Sequence, residues 1–164
     1  MTRSTAREIA VHMIFSLGFT TESVQQLLDQ ELNRERFAQL GKDLPIYEEY
    51  PNRKQEEYIR TLVTGVFNHG PELDDCISRY AMGWSFARIP RMAAAIMRTA
   101  MYEVLYMPDV PNAAAISSAV ELTKKYESKE VVSFVNGILG TFARTEAPEE
   151  SAQPQGEEQE AHQE

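Results

Sequence analysis

The chain has a single cysteine in 164 residues, Cys76. One thiol cannot form an internal disulfide, and it cannot build a cysteine-based zinc site, which needs several thiolates at set spacing. Cys76 falls at helical spacing from Leu73, Ile77 and Tyr80, the setting of a small buried thiol rather than of a nucleophile. Histidine is almost as scarce. His12, His69 and His162 are scattered, so no base stands beside a nucleophile and no metal-ligand spacing recurs. Phosphate loops of the GxGxxG or Walker type are missing too. These absences predict a protein that is not an enzyme and uses no metal or cofactor. No apolar run reaches the ~20 residues of a membrane span, and the N-terminus lacks the unbroken apolar stretch of a secretory signal, so a cytoplasmic protein is expected.

Acid is what the chain has in excess, with a net charge of −9. Such a balance argues against a nucleic-acid partner until its distribution is considered. Residues 145–164 hold seven glutamates and neither lysine nor arginine, so the remainder carries only −2 and has room for a local basic patch. The stretch TEAPEESAQPQGEEQEAHQE has almost no apolar content and cannot offset its ordering entropy by burial. It is expected to be a disordered acidic tail, a solubilising end or a competitor for the basic patch. Residues 1–144 are expected to form the folded domain, and 43% apolar residues suffices for a real core.

Almost every segment of that domain reads as helix. Ala6, Ile9, Ala10, Met13, Ile14 and Leu17 trace an amphipathic stripe, with Arg3, Ser4 and Arg7 off it. A second helix follows the N-cap oxygens of Thr21 to Ser23 and ends around Phe37 to Gly41; Lys42 to Arg53, with Pro45 and Pro51, reads as a loop. A third begins near Asn52 with Tyr58, Ile59, Leu62, Val63 and Val66 on one face, and Pro71 opens a fourth. Trp84, Phe86 and Ile89 make an aromatic elbow before Pro90 starts a fifth, broadly apolar helix. The sixth starts at Asn112 with Ile116, Ala119, Val120 and Thr123 inward, and Ser128 caps the seventh. In that last helix Val131, Phe134, Val135, Ile138, Leu139 and Phe142 keep the helical period straight through Asn136-Gly137, a pair that elsewhere signals a hairpin. A mid-helix glycine costs about 1 kcal/mol relative to alanine. Either a close helix approach or a bare patch for a partner's backbone or a nucleotide would justify it.

Two groups of residues have the chemistry of RNA binding. Arg3 and Arg7 stand one helical turn apart at the start of the first helix, where guanidinium groups and free backbone N–H groups both welcome phosphate. A solvated helix start is the plainer alternative. Lys124, Lys125 and Lys129 flank the hinge between the last two helices, close to Tyr126 and Phe134. Lysines for backbone charge with aromatics for stacking is the composition that single-stranded nucleic acid requires. Phe134 could equally be core, and Tyr126 could simply close the bundle.

The run AVELTKKY followed by FVNGILG, together with ARE at Ala6 to Glu8 and MRTAMYE at Met97 to Glu103, resembles the NusB family of bacterial transcription antitermination factors. The likeness covers most of the first 144 residues and is weakest between Thr20 and Lys54. It implies an all-α fold of about seven helices in two small bundles sharing a long central helix. It also implies an RNA-binding adaptor that holds the boxA segment of nascent RNA cooperatively with the ribosomal protein NusE, as part of an antitermination complex on RNA polymerase, ribosomal RNA operons included. By correspondence, RNA contact falls on Arg3, Arg7, Tyr80, Tyr126, Glu130 and Phe134, and NusE on the exposed side of the fifth helix around Tyr102 and Glu103. The N-terminal and hinge groups are then expected to form one face, and a homodimer covering that face is compatible with the pattern. Departures from the family pattern stand at Ser4, where an arginine is usual, at Ser117-Ser118, and at Ala93 to Ala95. They favour weaker RNA or NusE binding, and a protein-binding scaffold with little RNA affinity is the alternative. An accessory domain of an RNA methyltransferase is a third reading, disfavoured because no catalytic module follows.

Overall fold

Short polar side chains set several of the helix starts. Thr2 accepts from the Thr5 N–H ahead of α1 (Arg3–Leu17), and Ser23 forms a reciprocal capping box with Gln26 ahead of α2 (Val24–Glu31). Asn33 Oδ1 accepts from Glu35 and Arg36 ahead of α3 (Arg34–Leu40), and the Asn52 and Gln55 side chains cap one another's backbone N–H groups ahead of α4 (Arg53–Asn68). Proline opens three more: Pro71 lies in the first turn of α5 (Gly70–Tyr80), and Pro90 and Pro111 precede α6 (Arg91–Tyr106) and α7 (Asn112–Tyr126). Ser128 caps α8 (Lys129–Glu146) through the Val131 N–H.

This computed structural model describes residues 1–147. Among them lie eight α-helices, two short 3-10 turns and no strand, which is the all-α class that periodicity predicts. The eighth helix arises because Asn33 ends one segment and caps the next, so the single helix expected from Val24 to around Phe37 to Gly41 is α2 and α3. The expected disordered tail lies outside the described residues except at its first positions, where α8 continues through Thr145 and Glu146.

The chain divides into two compact units, Met1–Phe67 and a second beginning at Asn68. In the first, Ile9, Leu28, Ile59 and Leu62 are fully buried, with the predicted α4 face of Tyr58, Ile59, Leu62, Val63 and Val66 turned inward throughout. The region read as a loop also contributes: Tyr47 is buried, its ring edge-on to Phe37 and its hydroxyl 2.9 Å from His12 Nδ1. Tyr50 packs edge-on against Phe37 and donates to the Leu32 carbonyl, so this connection is pinned by aromatic rings.

In the second unit α6 packs against α5, α7 and α8. It is buried on nearly every side, from Ala93 to Met97 and again from Thr99 to Val104. That coverage explains its alanines, since small side chains admit neighbours closely. On α7 the buried positions are Ala115, Ala119, Leu122 and Thr123, while Ile116 and Val120 are only half-buried. The inward face is thus turned by about one residue from the expected stripe. Val135, Ile138, Leu139 and Phe142 are the buried face of α8.

Candidate nucleic-acid interface

At the start of α1 the arginines do not project freely. Tyr58 of α4 lies against that flank, with the Arg3 guanidinium carbon 4.3 Å and that of Arg7 6.0 Å from the ring centroid. Arg3 keeps half-exposed status, but Arg7 is only 4% exposed and its neighbour Glu8 is buried as well. Arg7 lies off the apolar stripe as expected, but the expectation that it projects freely is corrected here. A stripe of Ala6, Ile9, Ala10 and Met13 marks one buried face, and a second helix covers the polar flank that the stripe leaves open. Ser4, where an arginine would be usual in the family, is exposed.

The junction between α7 and α8 is arranged differently. Lys124, Lys125 and Lys129 are all exposed, with Tyr126 half-buried between them. Lys124 Nζ lies 2.9 Å from Glu121, an exposed pair one turn back, and Lys125 Nζ sits 5.5 Å from the Tyr126 ring centroid. Lys129 has no ion pair among the described residues, and Glu130 next to it is exposed in the first turn of α8, where the helix dipole favours a carboxylate. Phe134 is half-exposed rather than core, its ring 4.7 Å from that of Trp84 at a tilt of 38°. The loop carrying Trp84 turns at Gly83, whose φ of +83° suits glycine. Trp84 is therefore a second ring beside Phe134 that sequence spacing could not assign. Fifty residues separate the two, and only the packing of the elbow on α8 joins them.

Further along α8 the Asn136-Gly137 pair is helical and exposed, and a Cβ on Gly137 would meet nothing within 4 Å. Close helix approach does not explain this glycine; the helix simply presents bare backbone. Tyr80 ends α5, half-exposed, and a hydrogen bond to the Glu146 carboxylate raises its phenol above the ordinary value.

The expectation that Tyr102 and Glu103 line an exposed side of α6 is corrected. Tyr102 is 9% exposed and Glu103 is fully buried, because α6 is surrounded rather than half-open. Tyr102 instead belongs to an aromatic group with His69 and Tyr106, at centroid distances of 5.8 and 5.2 Å. Ala93 to Ala95 are buried as well. Among the described residues no group of three or more His, Cys, Asp or Glu is placed to hold a metal, and no helix is long and apolar enough to cross a membrane.

Comparison with known proteins places this arrangement in a family. The NusB family model matches residues 4–144. The transcription antitermination protein NusB of Carboxydothermus hydrogenoformans is 39% identical over 143 residues, 87% of this chain and 93% of its own length. That of Acetivibrio thermocellus is 35% identical over 145 residues, 88% and 90% of the two chains. Among solved structures, T. maritima NusB superposes with a TM-score of 0.74 at 29% identity, covering 90% of this chain and 94% of its own. A chain from a crystal structure of antitermination factors NusB and NusE in complex with dsRNA has the same fold, with a TM-score of 0.68 at 22% identity over 87% and 96% of the two chains. Matched across its helical part by the family model and across most of its length by relatives above 30% identity, the chain belongs to the NusB family.

Proposed function

We propose that this chain is a non-enzymatic, cytoplasmic adaptor of transcription antitermination, one that binds boxA-type single-stranded nascent RNA together with the ribosomal protein NusE. In this reading it helps assemble the antitermination complex on RNA polymerase, including at ribosomal RNA operons. The arrangement of two bundles sharing a long helix belongs to the same proposal. The observation that carries it is the α7–α8 junction, where three exposed lysines flank Tyr126 in sequence and α8 also presents the Phe134 ring, against which Trp84 of the α5–α6 connection packs. Lys124 and Lys129 supply backbone charge, and Tyr126 and Phe134 supply stacking surfaces worth about 1–3 kcal/mol per base. Arg3 and Tyr80 add polar contacts, and Glu130 tunes the local field. Arg7 acts indirectly, by fixing the Tyr58 and Arg3 surface. The relatives named as antitermination proteins and the solved NusB, NusE and dsRNA complex support this reading.

The test is retention of a labelled boxA-type RNA by the chain alone and with NusE, at two salt concentrations. Retention that deepens with NusE and falls with salt is expected. Absence of retention in every arm overturns the proposal. A second reading, a protein-binding scaffold with little RNA affinity, is favoured by the burial of Arg7 and by Ser4. Capture of NusE without RNA at low salt would select it, and sedimentation of the free chain reports whether a homodimer covers the RNA face.

A further inference from the structure

Arg79, next to last in α5, has a half-exposed side chain that is already engaged. Its Nη1 donates to Glu146 Oε1 at 2.6 Å and its Nη2 to Asp75 at 3.4 Å. The other Glu146 oxygen accepts from the Cys76 thiol at 3.4 Å, and Tyr80, the last residue of α5, is half-exposed next to Arg79 in sequence. A guanidinium and a thiol from one helix end thus converge on one carboxylate delivered by the last turn of α8. Burial pushes the Cys76 thiol up to about 12, which keeps it a donor. Glu146 itself is held below the ordinary carboxylate range, by the Tyr80 hydrogen bond first and then by Arg79 and Cys76.

A carboxylate at the C-terminal end of its own helix opposes the helix dipole, so Glu146 is retained by its α5 partners and not by α8. The Arg79 guanidinium that holds it is one that a phosphodiester also fits, since arginine is a standard partner of phosphate oxygens. We propose that Glu146 is a built-in competitor, its carboxylate occupying on Arg79 the place of an RNA phosphate, so that a bound single strand displaces it. This deepens the RNA-binding reading and rests on it. Exchange is easy because the pair reaches solvent, 49% at Arg79 and 28% at Glu146, and ion pairs open to water are held weakly. Release also disturbs only a terminal helical turn, the part of a helix that opens most readily. Arg79, unassigned on sequence grounds, becomes a phosphate contact that is masked in the free protein.

The experiment is an anisotropy titration of a labelled boxA-type single-stranded RNA, with NusE present, against the full chain and its Glu146→Gln variant at several salt concentrations. The variant should bind about three- to fivefold more tightly at low salt, and its log–log salt slope should steepen by about 0.7, the value of one added single-strand phosphate contact. Arg79→Gln in the Glu146→Gln background should abolish the gain. If Glu146 only braces α8, the variant binds equally or more weakly, which overturns the competitor while wild-type RNA binding keeps the broader reading. RNA binding absent from wild type and variant alike overturns both. Far-ultraviolet circular dichroism checks folding, and Glu146→Asp, which keeps the charge but shortens its reach, provides a second variant. A gain in the same direction supports the competitor, and no gain in either variant removes it.

Discussion

The start of α1 and the junction between α7 and α8 are both cationic in sequence, yet their charges meet opposite fates. At α1 a neighbouring helix brings Tyr58 over the arginines and Arg7 is buried; at the junction all three lysines remain in water. The chemistry of the two side chains explains part of this. A guanidinium is planar and weakly hydrated and settles on an aromatic face, whereas an ammonium is compact and strongly hydrated. Position explains the rest. The Arg7 flank of α1 lies where a second helix crosses, and the lysines lie at a helix-to-helix turn, which no further element among the described residues covers. A cationic spacing therefore reports a site's composition and not its availability.

That contrast can be broken most directly at Arg7. Arg7→Ala should lower stability by about 2 kcal/mol, through lost packing of a buried stem and of the groups around its guanidinium, seen as a reduced midpoint in urea denaturation. Its RNA salt slope should stay unchanged, while Lys129→Ala should leave stability within about 0.5 kcal/mol and reduce the slope by about 0.7. A reversed pattern would mean that the buried arginine reaches phosphate and the exposed lysine does not.

The ring pair sharpens the comparison next. Phe134→Ala should cost about 1–3 kcal/mol in RNA binding if a base stacks there. It should cost stability only by about 1 kcal/mol, the worth of a half-buried aromatic pair with Trp84. A large stability loss with unchanged RNA affinity would return Phe134 to the core.

The smallest effect is expected at Gly137. Because a Cβ there meets nothing within 4 Å, Gly137→Ala should raise the thermal midpoint, a gain of about 1 kcal/mol. Weakened NusE or RNA capture by this more stable variant would show that a partner uses the bare backbone. Unchanged capture would show that the open glycine serves no contact.

Local chemistry made much of the architecture legible. Prolines at 71, 90 and 111, the caps at Ser23 and Ser128, and the 3.6-residue period of α4 and α8 each act within a few residues, so helix class and most starts could be read in advance. Asn33 was the exception. Its capping oxygen competes with continuation of the helix, and periodicity across Val24 to Phe37 does not record which tendency prevails. The candidate site was legible in composition at Lys124, Lys129 and Tyr126. It was illegible where a distant segment decides exposure: Trp84 beside Phe134, Tyr58 over Arg3, and the helices around Tyr102 and Glu103.

Sequence alone determined that this chain is helical, where most of its helices begin, and that its cationic and aromatic residues cluster at two places, because capping, backbone restriction and side-chain period are local forces. Tertiary structure alone decided which of those residues face water. Burial is set by what packs across a helix from elsewhere in the chain, and no residue's own neighbours in sequence encode it.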